Sequence, residues 1–146
     1  MAEESFTEEQ RNNIVKAVVE AEKNTSGEIQ VHIEKYCKEN VLDRAAKVFS
    51  ILKMHKTKLR NGVLFYLALD DHKFAILGDA GINNVVPDDF WDDIKEHMAA
   101  QFKEGNITEG IIEGVKMAGN QLKQHFPVLK NDINELPDDI SFGKNL

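Results

Sequence analysis

The order in which helical and strand patterns follow one another predicts a three-layer α/β/α sandwich with a mixed central sheet of about four strands. Three features carry that expectation. Apolar residues recur at helical spacing before and after the strand candidates, one strand alternates while another is continuously apolar, and a short acidic turn folds the next strand back. At 146 residues, 42% apolar and 29% charged, the chain has the size and composition of one globular domain, 1–146.

Thr7-Glu8-Glu9-Gln10 is a capping-box pattern, after which Ile14, Ala17, Val18 and Ala21 repeat on one helical face until about Asn24. Thr25-Ser26-Gly27 supplies a turn. From Glu28 to Tyr36, Ile29, Val31 and Ile33 alternate with Gln30, His32 and Glu34, which predicts a strand with one face buried and His32 directed outward. A second helix is expected from about Val41 through Met54, with Ala45, Val48, Phe49 and Leu52 as its stripe. The basic stretch from Lys53 to Arg60 reads as a solvated turn.

The most apolar run, Val63 to Leu69, predicts a central strand covered on both faces. Asp70-Asp71 turns it into a returning strand, Lys73 to Leu77. The following segment, Asp79 to Asp89, has no regular pattern, and Pro87 marks the start of a helix striped by Phe90, Ile94, Met98 and Phe102. Gly105-Asn106 ends that helix, and Thr108 is the expected cap of the last one, whose core face is Ile111, Ile112, Val115, Ala118 and Leu122. Gly110, Gly114 and Ala118 form a small-residue ridge expected to pack closely on the sheet. Residues 128–146 form a C-terminal tail, laid on the body through Ile133, Leu136, Ile140 and Phe142.

Charge and cysteine content exclude several functions. A net charge of -7 opposes binding to a phosphate backbone, which needs clustered Lys and Arg. With Cys37 as the single cysteine there is neither an intramolecular disulfide nor a cysteine zinc site. The acidic start, Met1-Ala2-Glu3-Glu4-Ser5, is unlike a signal peptide, and no apolar run approaches the ~18 residues of a membrane span. The expected location is therefore cytoplasmic.

The sequence also lacks a Gly-x-Ser-x-Gly elbow, a Walker loop and a His-Glu-x-x-His pair. What it offers is oxygen. Asp79, Asn83, Asn84, Asp88 and Asp89 crowd one segment, and hard cations such as Ca²⁺ and Mg²⁺ take carboxylate, amide and carbonyl oxygens. If the first two strands run parallel and the third returns, Asp79 arrives at the sheet edge where Glu28 and Asn61 begin their strands. Glu28, Asp79, Asp88 and Asp89 are thus the candidate metal ligands. Capping of helix N-termini explains the same aspartates without a metal, and both readings stay open at this point.

Three blocks carry a resemblance: Thr25 to Val31, then Arg60-Asn61-Gly62-Val63-Leu64, then Gly78-Asp79-Ala80-Gly81-Ile82. With Phe102 to Gly105, Gly110-Ile111 and Gly114, they resemble the TPM domain family over nearly the whole chain, from Phe6 to about Phe126. The resemblance implies an α/β/α sandwich. The family includes a thylakoid acid phosphatase tied to photosystem II repair and an accessory protein of acetylcholine receptors, so fold does not assign function. Many members carry a signal peptide and a membrane anchor, whereas this sequence reads as the domain standing alone. The plant member's likeness to a calcium-binding protein at the corresponding acidic edge implies a cation at Glu28 and Asp79.

The resulting expectation is a stand-alone module that binds Ca²⁺ or Mg²⁺ and acts in regulation or interaction. Its partners would be a divalent metal and a protein the sequence does not identify, with neither nucleic acid nor membrane among them. The alternative is a metal-dependent phosphomonoesterase, in which the ion polarises a phosphoryl oxygen and activates water. The five histidines share no spacing that would supply its general acid, so no catalytic residue is assigned.

Overall fold

The computed structural model describes residues 2–128 and 138–143. Thr7 starts α1 (Glu8–Glu22): its hydroxyl accepts from the Gln10 amide at 3.0 Å, and the Gln10 side chain accepts from the Thr7 amide at 2.9 Å. The remaining long helices are α2 (Val41–Ile51), α4 (Asp92–Lys103) and α5 (Ile107–His125), with the single turn α3 (Ala80–Asn83) between strand and α4. The strands are β1 (Glu28–Glu34), β2 (Gly62–Ala68), β3 (Lys73–Gly78) and β4 (Ser141–Phe142). They form one sheet in the order β3-β2-β1-β4, with β1 parallel to β2 and β4 and the β2–β3 hairpin antiparallel.

Helices cover both faces, which gives the expected three layers. On one side Ile29, Val31, Ile33, Val63, Phe65, Leu67 and Ile76 meet the apolar faces of α1, α4 and α5. On the other, Leu64, Tyr66, Ala68 and Ala75 meet Ala45, Val48 and Phe49 of α2. The tail is described at residues 138–143: Ile140 is buried, Phe142 lies 6.5 Å from Phe6 ring to ring, and the expected contacts of Ile133 and Leu136 lie outside the described residues.

Several local expectations need correction. The small-residue ridge faces helices, not the sheet. A Cβ on Gly110 would fall 2.5 Å from the Phe102 ring and one on Gly114 2.5 Å from the Met98 sulfur, so close approach of α4 to α5 depends on both. Thr108 is not the cap of α5; Asn106 holds that position without a side-chain capping bond. The segment after β3 is not wholly irregular, because the Asp79 side chain caps α3 at the Ala80 amide, 2.7 Å away. The helix expected at Pro87 starts at Asp92, after a turn. The second helix stops at Ile51, and Lys53, at φ 58°, leads into a 3-10 turn at Met54–Lys56.

The most consequential correction concerns β1. Every residue from Glu28 to Glu34 is buried, including Gln30, His32 and Glu34. The polar alternation is real, but Arg44 of α2 reaches Glu34, the Tyr66 ring stacks beside His32 and β4 pairs along the remaining edge, so these polar side chains are enclosed.

Candidate functional site

The resemblance blocks converge at one end of the sheet. Glu28 pairs with Gly62, and Asp79 follows Gly78, which pairs with Val63, so Glu28, Gly62 and Asp79 lie in a row across three strands. The Glu28 amide donates to the Asn61 carbonyl at 3.2 Å and the Asp79 amide to the Gly62 carbonyl at 3.0 Å. Thr25 and Ser26 fasten this end to α5: the Thr25 hydroxyl and the Ser26 amide both donate to the Phe126 carbonyl. Gly81 is required by a backbone contact. Its amide donates to the Arg60 carbonyl at 2.8 Å, and a Cβ there would sit 2.1 Å from the Leu59 carbonyl oxygen. Gly78-Asp79-Ala80-Gly81 is therefore a packing joint.

The structure brings Glu28 and Asp79 to the same edge, as the strand directions imply, and both are buried. Asp79 already holds a cation. Arg60 donates to it through Nε and Nη2, each at 2.8 Å, in the two-pronged geometry that matches guanidinium to carboxylate. The basic stretch thus ends in an ion pair and not only in a solvated turn. Asp88 and Asp89 are exposed in the turn before α4, where the Asp89 carbonyl accepts from the Asp92 amide. Among the described residues, no group of three or more His, Cys, Asp or Glu side chains is placed to hold a metal ion. The edge is not a preformed cage.

Two acidic neighbours went unread in the sequence. Glu22, at the end of α1, accepts from the Ile29 amide at 2.8 Å and shares a hydrogen bond with Asp138. Burial, then Asp138, and to a smaller extent Glu28, push its carboxyl up to about 9, so it holds a proton at neutral pH. Nothing local announces this pairing, since α1, β1 and the tail each supply one acid.

The enclosed polar face of β1 forms a second cluster. Glu34 accepts from Arg44 Nε at 3.1 Å, from Arg44 Nη2, and from the Tyr66 hydroxyl at 2.6 Å. Burial alone would raise the Glu34 carboxyl, but hydrogen bonds from Arg44, Tyr66 and His32 overcome it and hold it at about 2. His32 has Nε2 3.1 Å from Glu34 and Nδ1 2.9 Å from the Ser141 hydroxyl. Burial lowers its basicity, and beside an ionised Glu34 the neutral ring donates from Nε2 and accepts Ser141 at Nδ1. In the chain serine–histidine–carboxylate, His32 is fully buried, Glu34 is buried, Ser141 is half-buried, and the acid is already matched by Arg44. It works as a fastening: Ser141 belongs to β4, and the Gly143 amide donates to the Ile33 carbonyl at 3.1 Å. Gln30 Oε1, on the same face, is buried and has no hydrogen-bond partner among the described residues.

This arrangement, a mixed four-stranded sheet between helical layers with the three blocks meeting at one edge, is that of a TPM domain. The TPM domain family matches residues 2–121, and the chain belongs to it. It is similar to the BA42 protein of the psychrophilic bacterium Bizionia argentinensis, at 52% identity over 94% of this chain and 95% of that one, with a TM-score of 0.90. The N-terminal domain of a P. gingivalis protein shares the fold at 22% identity and TM-score 0.68, covering 83% of this chain and 78% of that one. So does the N-terminal domain of the cg2496 protein of Corynebacterium glutamicum, at 11% identity and TM-score 0.64, covering 79% and 72%. No curated protein matches the chain. No helix among the described residues is long and apolar enough to cross a membrane.

Proposed function

We propose that this TPM domain is a cation-responsive module, regulatory or adaptor in role, that takes Ca²⁺ or Mg²⁺ at the acidic sheet edge. Glu28 is its central ligand, and Asp79, Asp88 and Asp89 are the further oxygen donors. The observation that carries the reading is the meeting of Glu22, from the end of α1, with Glu28 and Asp138 at this edge. Burial first, then Asp138 and Glu28, raise the Glu22 carboxyl to about 9, and a divalent ion suits such a meeting of carboxyl oxygens better than a proton does. Asp79 contributes only when Arg60 releases it, so binding is coupled to movement of the 79–89 segment. In the bound state the ion would supply charge neutralisation and order that segment for a protein partner.

Thermal unfolding of chelator-stripped protein, with and without Ca²⁺ and then Mg²⁺, tests this reading. Saturation at a hundredfold excess over Kd stabilises the fold by about 2.7 kcal/mol, which raises the melting temperature by several degrees. Glu28→Gln should abolish the rise, and Asp79→Asn should reduce it. Binding should also release a proton from Glu22, visible as a dependence of calorimetric heat on buffer ionisation enthalpy. An unchanged melting temperature with both ions would overturn the proposal.

A further inference from the structure

The opposite end of the sheet carries a cavity of about 850 Å³, within the size range of small-molecule sites. It opens where β2 ends and turns into β3, beyond the carboxyl end of a parallel strand, the position in which open α/β sheets place ligands. Phe6, Leu67, Leu69, Phe74, Phe102 and Ile107 give it apolar walls, and polar residues, His72 and Gln10 among them, share the lining. Phe74 and Phe102 meet edge to face at 5.1 Å. Gly105, at φ 83°, reverses the chain so that the end of α4 and the start of α5 both border the cavity.

The start of α5 is unusual in two ways. Asn106 makes no capping bond, so the side chain that ordinarily satisfies the first amides of a helix does not do so here. Thr108 lines the cavity, is only 8% exposed, and its side chain makes no hydrogen bond among the described residues. The first turn of this 19-residue helix, without a side-chain cap, and the buried Thr108, without a side-chain hydrogen bond among the described residues, therefore border the cavity. Charge at the rim agrees. Lys103 has no carboxylate partner among the described residues, and the Lys73 ammonium reaches only the Cys37 carbonyl at 3.3 Å. Asp70 lies 3.9 Å from Lys35, which leaves Glu109 as the acid facing these lysines. In a chain of net charge -7 this rim is close to neutral, which suits one negative charge better than two.

We propose that this cavity binds a small amphipathic carboxylate, with its hydrocarbon tail between Phe6, Phe74 and Phe102 and its head at the Thr108 hydroxyl and the first amides of α5, beside Lys103. The helix terminus and the lysine recognise the charge, and the aromatic walls recognise the tail.

Sodium decanoate, titrated into ¹⁵N-labelled full chain with chelator present throughout, is the test. Chelator separates the result from any cation effect at the other edge. Saturable shifts are expected at the amides of Gly105, Ile107, Thr108 and Glu109, with decanol binding about tenfold more weakly. Lys103→Ala and Thr108→Val should each weaken decanoate several-fold, and Glu109→Gln should tighten it. Lys103 and Glu109 are exposed, so those two variants keep the fold and the test stands even if Thr108→Val does not fold. Absence of saturable shifts at millimolar decanoate overturns the proposal. So does equal binding of decanol and decanoate that ignores Lys103, because the site would then be an unselective apolar cleft.

Discussion

Glu34 and Glu22 both touch β1, and burial pushes both toward the neutral acid, yet they end on opposite sides of neutrality. Glu34 is held at about 2 and Glu22 at about 9. The difference lies in their partners. Glu34 receives Arg44, Tyr66 and His32, all able to donate to an anion. Glu22 receives one backbone amide but faces Asp138 and Glu28. Burial raises the cost of an unmatched charge, and the identity of the neighbour decides which way the carboxyl resolves it. The interior site is neutralised by a built-in cation and is structural. The edge site is neutralised by a proton, which is exchangeable, and it is therefore the place where solution conditions can act on the fold.

The largest effect expected from breaking this contrast follows removal of the Glu34 cation. Arg44→Ala leaves a buried carboxylate with only Tyr66 and His32 as donors, at a cost of about 3 kcal/mol in urea unfolding at neutral pH. A loss below about 1 kcal/mol would place the pair with ordinary surface bridges and dissolve the distinction. Sign follows from the folded value lying below the ordinary one. The stabilisation is fully present above pH 4.5 and disappears as pH falls toward about 2, so Arg44→Ala should also flatten that acid limb. Tyr66→Phe is milder. It removes one hydrogen bond to a charged group while keeping the ring that stacks 6.0 Å from His32, and about 1.5 kcal/mol is expected. A neutral Tyr66→Phe would mean that Arg44 alone sets the state of Glu34.

How much of this was legible follows from where each partner sits in the chain. The capping box at Thr7 and Gln10, the α1 stripe and the hairpin at Asp70-Asp71 depend on residues a few positions apart, and the sheet edge joining Glu28 to Asp79 follows from strand direction alone. The β1 alternation was visible too, but alternation states only that two faces differ, not that the polar one meets solvent. Deciding that needs Arg44 on α2, Tyr66 hidden in the apolar run of β2, and Ser141 from the far end of the chain. The neutralisation of Asp79 by Arg60 was within reach, because a basic residue directly precedes the strand whose edge receives Asp79. The meeting of Glu22, Glu28 and Asp138 was not, since no periodicity links α1 to the tail. The cavity at the other end escaped for a similar reason: Phe74, Phe102 and Thr108 each read as a core or cap residue in its own element.

The last prediction tests the edge half of the contrast, where the effect depends on pH. The native Glu22 carboxyl keeps its proton up to about 9, whereas the unfolded chain releases it near 4.5. Between those values the native state binds one proton more than the unfolded state. Stability contributed by Glu22 is therefore fully present below pH 4.5 and declines as pH rises toward about 9, by at most about 1.4 kcal/mol per pH unit. Glu22→Gln keeps the shape: its amide oxygen can accept from Ile29 and its NH₂ can donate to Asp138, with no proton to lose. The variant should match the parent near pH ~5 and exceed it increasingly toward pH ~8, seen as a melting-temperature difference that widens with pH. A difference constant across that range would show that Glu22 is ionised in the native state. The edge would then neutralise its charge as the interior does, and the basis for expecting a cation there would go with it.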